Sequence, residues 1–253
     1  MPPADSAAAP ALRLLNGRHA LALVAGYVIA QILGGILVGM GWGFRQGFEA
    51  ALHGGKAAVG VKPGIDVLAW SVLAGLVVAG IWAVYFGRHY AHTLLRDPGP
   101  GGVAWRPAVW RAYGVAVLLA ILLLLLAILV ERLDPPELSR LTGPAEQLAR
   151  AHGLPYVLFV ICVVFIAPPL EEFVFRGVAF AAVARSFGML AAVVLTTLAF
   201  MLLHYADNVH YWPGFLLVGA LGLAAAGLRL RFKSLWPGIV MHCGYNALLL
   251  FFH

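Results

Sequence analysis

The sequence predicts an all-α fold, a polytopic membrane helix bundle of about seven transmembrane helices (six to eight). Hydrophobic residues make up 62% of the chain and charged residues 11%, and the mean hydropathy is +0.90, which is typical of membrane proteins. Several apolar runs reach the roughly 20 residues that a helix needs to cross about 30 Å of hydrocarbon. These runs lack the alternation of polar and apolar residues that a membrane β-barrel requires, so helices are predicted.

The apolar runs give the approximate position of each span. Five clear spans are predicted at 19–44, 67–86, 110–130, 211–230 and 235–252, and two more between residues 155 and 204. Residues 1–18 form a tail rich in Ala and Pro. The first apolar run is too long for the core of a signal peptide, so it is expected to be an uncleaved first span.

The segment 155–186 is longer than a simple span. Its 32 residues would form a helix about 48 Å long, and Pro168 and Pro169 interrupt it. A kinked or restarted helix is therefore predicted. If the helix restarts at the prolines, Glu171 and Glu172 fall in its first turn, where free N–H groups and the helix dipole favour negative charge.

Ionisable residues inside this segment form the first candidate site. Each one costs roughly 2.5 to 3.5 kcal/mol to insert at mid-membrane depth, so a span that keeps several is normally using them. Glu172 and Arg176 are four residues apart on one helix face, where an ion pair would lower the cost of burying both. Glu171 points about 100° away and can face a cavity. A purely structural cluster of buried ion pairs is the alternative.

Two further polar pairs occur in the later spans. His204 follows Phe200 by four residues, and Asn246 follows His242 by four, so each pair shares a helix face. Taken singly, His204 could be an interfacial histidine at a helix end, and His242 with Asn246 a pair that bonds two helices together. Together with the glutamates, these side chains form a set suited to acid–base chemistry inside a membrane.

These patterns resemble the three motifs of the CAAX-processing and bacteriocin-processing glutamic intramembrane proteases, known as the CPBP or ABI family. The resemblance covers roughly residues 155–253. In this chain the motifs are Glu171-Glu172-Phe173-Val174-Phe175-Arg176, then Phe200 to His204, then His242 to Asn246. Each motif alone is weak, but their order and their position in apolar spans are specific.

The resemblance implies a membrane-embedded endopeptidase that acts on a membrane protein or peptide without a metal or other cofactor. Glu171 and His204 would activate a water molecule, and His242 and Asn246 would stabilise the oxyanion. Glu172 and Arg176 would support Glu171. The chain then divides into a tail at 1–18, transmembrane helices without a recognised motif at 19–150 and a catalytic core at 151–253.

Other functions stay open at this point. A zinc site made by His204, His242 and a glutamate is one possibility. A second is a non-proteolytic membrane scaffold or immunity protein that keeps the same fold, and a third is a proton-coupled transporter. The chain has no Gly-x-Ser-Gly, Gly-x-Gly-Asp or His-Glu-x-x-His pattern of other membrane proteases.

The charges predict the orientation of the chain. The net charge is +6, but the basic residues cluster at span ends, which predicts contact with the lipid bilayer and no nucleic-acid partner. Ten basic residues fall on the N-terminal side of a seven-span bundle and six on the other, which favours a cytoplasmic N-terminus. The ten are Arg13, Arg18, Arg88, Arg96, Arg106, Arg111, Arg185, Arg229, Arg231 and Lys233, and the six are Arg45, Lys56, Lys62, Arg132, Arg140 and Arg150.

This orientation conflicts with one implication of the resemblance. It places His204 near the extracytoplasmic end of its helix, whereas CAAX-processing relatives are thought to open toward the cytosol. An excess of Arg over Lys, 14 to 3, suggests a GC-rich bacterial genome and hence the bacterial cytoplasmic (inner) membrane. Prenylated substrates are less expected there. The sequence does not specify the substrate or the oligomeric state.

Overall fold

A computed structural model describes residues 15–52, 62–136 and 143–252. All regular structure in these ranges is helical, and none of these residues forms a strand. Residues 1–14 of the predicted tail lie outside the described ranges, as do Arg13, Lys56 and Arg140 of the charge count. The all-α class predicted from the sequence is confirmed.

The described helices are α1 (Gly17–Leu52), α2 (Ile65–Tyr90), α3 (Trp110–Leu133), α4 (Pro144–Ala149), α5 (Leu154–Phe187), α6 (Met189–Leu203), α7 (Tyr205–Asn208), α8 (Trp212–Phe232) and α9 (Trp236–Phe252). Five of them, α1, α2, α3, α5 and α8, are long and apolar enough to cross a membrane. Helices α6 and α9 are shorter apolar helices of 15 and 17 residues. The chain is therefore an integral membrane protein, and these helices correspond to the seven predicted spans.

Helix α1 continues further than predicted, and an ion pair within the helix stabilises its polar last turns. The guanidinium of Arg45 donates a hydrogen bond of 2.8 Å to the Glu49 carboxylate, one turn later. Such pairs at a spacing of four residues stabilise a helix modestly. The helix thus reaches Leu52 and not residue 44.

Helix α5 lies at the centre of the bundle. It packs against α1, α2, α6, α8 and α9, while α1 also packs along α2, and α3 against α9. The second half of α5, from Val174 to Ala182, is fully buried. Neighbouring helices therefore shield any polar side chain in this stretch from lipid. Ionisable side chains of membrane proteins usually lie in such an interior position.

The path of α5 excludes the restart, one of the two alternatives that the sequence left open. The helix is not restarted at Pro168 and Pro169 but continues through them with wide π turns on either side, Ile161–Ile166 and Glu172–Ala179. π turns are compatible with prolines in a helix. A carbonyl whose usual donor would be the missing proline N–H can instead accept a hydrogen bond from a residue further along the chain. The Glu172 N–H is bonded to the carbonyls of both prolines. The glutamates thus lie mid-helix and gain no stabilisation from a free helix N-terminus.

Hydrogen bonds define the two ends of the bundle. At the N-terminal end, Gly17 N–H donates to the Ser186 hydroxyl at 2.8 Å, and Leu235 N–H donates to the Ala104 carbonyl at 3.0 Å. At the opposite end, Tyr211 donates its hydroxyl proton to the Asp134 carbonyl at 2.8 Å. We call this second end, formed by residues 134–136, 143–153 and 204–211, the distal end. This grouping matches the alternation expected for seven spans.

Candidate active site

The ion pair that the sequence predicts between Glu172 and Arg176 is present in α5. Arg176 Nη1 lies 3.3 Å from Glu172 Oε1, and the two side chains are 0% and 1% exposed. The guanidinium also lies over the Phe200 ring, 4.2 Å from its centroid, at a cation–π distance. Opposite charge and an aromatic face together offset part of the cost of burying both ions.

His242 connects this ion pair to the second glutamate. Its Nδ1 lies 3.3 Å from Glu172 Oε1, and its Nε2 lies 3.7 Å from Glu171 Oε2. An ionised carboxylate only accepts hydrogen bonds, so we assign a proton to Nδ1. The 3.7 Å between Nε2 and Glu171 Oε2 is longer than a hydrogen bond, and Glu171 Oε2 has no hydrogen-bond partner among the described residues. His242 therefore lies between the two glutamates and is hydrogen-bonded to Glu172.

His204 is held in one tautomer by the end of its own helix. Its Nδ1 lies 2.9 Å from the Phe200 carbonyl oxygen, which can only accept, so Nδ1 carries the proton and donates. In the neutral ring Nε2 then keeps its lone pair. Phe200 packs against this imidazole with ring centroids 4.6 Å apart, which fixes the ring plane. His204 can thus accept a proton or a hydrogen bond at Nε2.

Asn246 contacts a part of α5 that the sequence did not indicate. Its Nδ2 donates a hydrogen bond of 2.8 Å to the Val163 carbonyl, in the π turn before the prolines. One Nδ2 hydrogen is used by this bond, and the carboxamide has a second one. Asn246 therefore both ties α9 to α5 and keeps a donor for another group.

Four of the predicted site residues line one cavity, which we call the inner cavity. It has a volume of about 330 Å³ and is lined by Glu171, His204, His242 and Asn246. This size is typical of small-molecule and substrate sites. Glu172 and Arg176 are absent from the lining and lie behind His242. The structure thus brings all six predicted residues together, with four at the cavity and two supporting them.

The inner cavity extends to the distal end, where its rim is acidic. Glu131, Glu146 and Asp207 line the rim, and so does Tyr211. The pKa of the Tyr211 phenol is raised, first by burial and then by the charges of Glu131 and Asp134. The phenol therefore keeps its proton, in agreement with its hydrogen bond to the Asp134 carbonyl.

Sequence reasoning missed two polar residues of α1, Tyr27 and Gln31. The Tyr27 side chain is 0% exposed and packs against Phe175 of α5, with ring centroids 6.2 Å apart. Tyr27 Oη and Gln31 Nε2 are both buried, and neither has a hydrogen-bond partner in the described part of the chain. Their spacing of four residues within an apolar run was the only signal in the sequence, and it matched no motif.

The zinc alternative requires His204, His242 and a glutamate to lie together as metal ligands. Within residues 15–52, 62–136 and 143–252, no three His, Cys, Asp or Glu side chains form a group that could hold a metal ion. His242 instead directs both ring nitrogens at carboxylates. The observed contacts therefore belong to an acid–imidazole site.

Fold and site together define a class, a polytopic helical membrane protein with paired carboxylates and imidazoles enclosed between its helices. Residues 153–248 match the family described as Rce1-like, type II CAAX prenyl endopeptidase. This segment contains all three motifs, so the resemblance to the CPBP family is confirmed over it. The match supports a membrane endopeptidase activity. No curated protein matches the chain, and no solved structure does.

Proposed function

We propose that this protein is a glutamic intramembrane endopeptidase that hydrolyses a peptide bond of a membrane-associated protein or peptide. One observation carries the proposal: Glu171, His204, His242 and Asn246 converge on a single cavity within the membrane bundle. The family match supports an endopeptidase in general terms. The assignment of roles to individual residues is our own.

Glu171 is the proposed general base. A water molecule in the inner cavity gives a proton to the Glu171 carboxylate while its oxygen bonds to the carbonyl carbon of the scissile amide. His204 Nε2, free because Nδ1 is bonded to Phe200, accepts the other hydrogen of this water and orients its lone pair. No covalent bond to the protein is needed.

His242 and Asn246 are the proposed donors to the oxyanion. With a proton on Nε2, His242 donates to the oxygen that becomes negative, and the second Nδ2 hydrogen of Asn246 also donates to it. One such preorganised donor contributes on the order of 3 kcal/mol to the transition state in known enzymes. The proton on Glu171 then moves to the leaving nitrogen, the C–N bond breaks, and a carboxylic acid and an amine are released.

Glu172 and Arg176 are proposed to position His242. Glu172 accepts from Nδ1, which fixes the ring so that Nε2 faces Glu171. Arg176 in turn fixes Glu172. Neither side chain lines the inner cavity, so both act on the substrate through His242.

The decisive experiment is cleavage of candidate membrane-anchored peptides by the purified, reconstituted protein. Glu171→Gln keeps the shape of the side chain but removes the base, and His204→Asn keeps a donor to the Phe200 carbonyl but removes Nε2. We expect each to lower kcat by about 10²- to 10⁴-fold, as is usual for general acid–base groups. A chelator should change nothing.

Glu49→Gln is the matched control, because Glu49 is a half-exposed carboxylate of α1 that pairs with Arg45 and does not line the inner cavity. It should cleave at the rate of the unmodified protein. Full activity of Glu171→Gln would refute the proposal. If the folded, unmodified protein cleaves no peptide, a non-proteolytic scaffold that keeps this fold becomes the better explanation.

A further inference from the structure

A second cavity meets the inner cavity at Glu171. This lateral cavity, of about 450 Å³, lies between α1, α2 and α5, and α4 and α7 close its distal end; Gln31, Gly35, Val72 and Phe159 are among the residues that line it. Glu171 lines both cavities, and so do Ala145, Val163, Ala167 and Asp207. The candidate base therefore lies where a mostly apolar cavity joins a more polar one.

The lateral cavity reaches the lipid-facing surface. Ile32, which is part of its wall, is 56% exposed on the outside of the bundle. Most of the remaining wall is aliphatic or aromatic, from residues such as Leu68, Val72 and Phe159. A membrane-embedded polypeptide can enter such a chamber from the bilayer without passing through water.

Gln31 is one of four polar residues in this mostly apolar wall, with Ser71, Glu171 and Asp207. Among the described residues that line the lateral cavity, it has the only side-chain N–H donors, and its Nε2 is buried without a partner in the described structure. The nearby Ser71 hydroxyl is already directed at the Gly35 carbonyl, 3.5 Å away. A buried donor without a partner is unusual in a native protein and needs an explanation, such as a ligand group.

A cleavable substrate supplies the matching group. A peptide bond inside a helix has its carbonyl bonded and shielded, so hydrolysis requires a locally unwound, extended segment. Where the wall of the lateral cavity is apolar, the carbonyls of that segment meet no polar group, so a protein donor there stabilises them. A carboxamide can donate to one substrate carbonyl in the way a neighbouring backbone N–H would.

We infer that the lateral cavity holds the unwound segment of the substrate beside the scissile bond, and that Gln31 Nε2 donates to one of its backbone carbonyls. Gln31 is then a substrate-binding residue contributed by α1, outside the segment that carries the motifs. Tyr27, one turn earlier, also has a buried side-chain oxygen without a hydrogen-bond partner among the described residues. This inference rests on the proposed function, because it assumes a peptide substrate at Glu171.

The test measures binding separately from cleavage. The probe is a fluorescent synthetic membrane peptide whose leucine-rich helix is interrupted by a central Gly-Pro-Gly segment, titrated into proteoliposomes of the full chain. Gln31→Met keeps the length of the side chain and removes its donors. We expect it to weaken binding of the probe at least tenfold.

A second glutamine of α1 provides a matched control, and a pair of glycines provides a second test with its own control. Gln46→Met makes the same substitution on the exposed surface of α1 and should leave binding unchanged. Gly35→Leu adds a side chain to the wall of the lateral cavity and should also weaken binding. Gly39→Leu is its control: a Cβ at Gly39 meets nothing within 4 Å, so binding should be unchanged. Thermal unfolding of each variant identifies any loss that comes from misfolding.

The outcomes separate the inference from the proposed function. Equal binding by folded Gln31→Met and the unmodified protein would overturn the inference and leave hydrolysis at Glu171 open. An unmodified protein that does not bind the interrupted peptide, or binds an uninterrupted leucine helix equally well, would also overturn it. Binding that depends on Gln31, without cleavage of any peptide, would uphold the peptide site and count against the proposed hydrolysis.

Discussion

Asn246 donates an Nδ2 hydrogen to the Val163 carbonyl, 2.8 Å away, and this bond replaces the backbone donor that Pro168 lacks. In the π turn of α5 the Ala167 N–H bonds to the Cys162 carbonyl, five residues back. By the same pattern the Val163 carbonyl would accept from residue 168, but proline has no N–H. A carbonyl without a partner is costly inside a membrane. Asn246 thus stabilises α5 about two turns before Glu171, whatever its role in catalysis.

The first prediction follows from this bond. Asn246→Ala leaves the Val163 carbonyl unpaired and should lower the free energy of unfolding by about 1–3 kcal/mol, the usual cost of a buried unsatisfied group. In a Pro168→Ala background, a new N–H can bond to the same carbonyl, so Asn246→Ala should cost less there. Unfolding by denaturing detergent, measured for the four proteins of this double-mutant cycle, gives the coupling. An equal cost in both backgrounds would contradict the assignment.

A second prediction concerns the guanidinium buried behind His242. Arg176→Met removes the guanidinium that faces Glu172 and leaves a carboxylate that is 1% exposed with the His242 imidazole as its remaining contact. Breaking a buried pair in this way typically costs about 3–5 kcal/mol. Arg150→Met is the control, since Arg150 pairs with Glu146 at the same spacing but is half exposed, and such a pair contributes about 0–1 kcal/mol. Comparable losses in both variants would show that burial of the Arg176 pair is unimportant for stability.

The close packing of α1 on α2 gives a third prediction. A Cβ at Gly34 would lie within 2.6 Å of backbone atoms of Ala74 and Gly75, and a backbone cannot move aside as a side chain can. Gly34→Ala should therefore destabilise the protein by about 1–3 kcal/mol, as overpacking does. Gly39→Ala lies on the same helix with nothing within 4 Å and should be neutral or stabilising. The measurement is the midpoint of thermal unfolding of each variant in one detergent.

The features that the sequence predicted best are those that helix geometry determines. The pairing of Glu172 with Arg176 and the contact of Phe200 with His204 follow from a spacing of four residues within one helix, and both are present. The contact of His242 with both glutamates depends on how α9 packs on α5, which no local pattern specifies. The continuation of α5 through its prolines was left open, because a kink and a restart both accommodate the missing N–H groups.

Gln31 illustrates what local pattern could not supply. In the sequence it is one polar residue in a long apolar run, and its spacing from Tyr27 is compatible with a lipid-facing or a buried position. Only the packing of α1 against α2 and α5 turns its side chain into the lateral cavity. The half of the chain without motifs therefore contributes to the candidate site through tertiary contacts alone.

The last prediction is the side of the membrane to which the inner cavity opens. The rim residues Asp207 and Tyr211 belong to the distal end, and the excess of basic residues lies at the other end, which the positive-inside rule assigns to the cytosol. We expect His210→Cys, exposed at the distal end, to react with a membrane-impermeant maleimide on intact cells, in a background of Cys162→Ala and Cys243→Ala. Arg96→Cys, exposed at the N-terminal end, should react only after the membrane is opened. The reverse labelling of the two cysteines would place the cavity on the cytosolic side. It would also mean that the excess of basic residues at the N-terminal end does not set the orientation of this bundle.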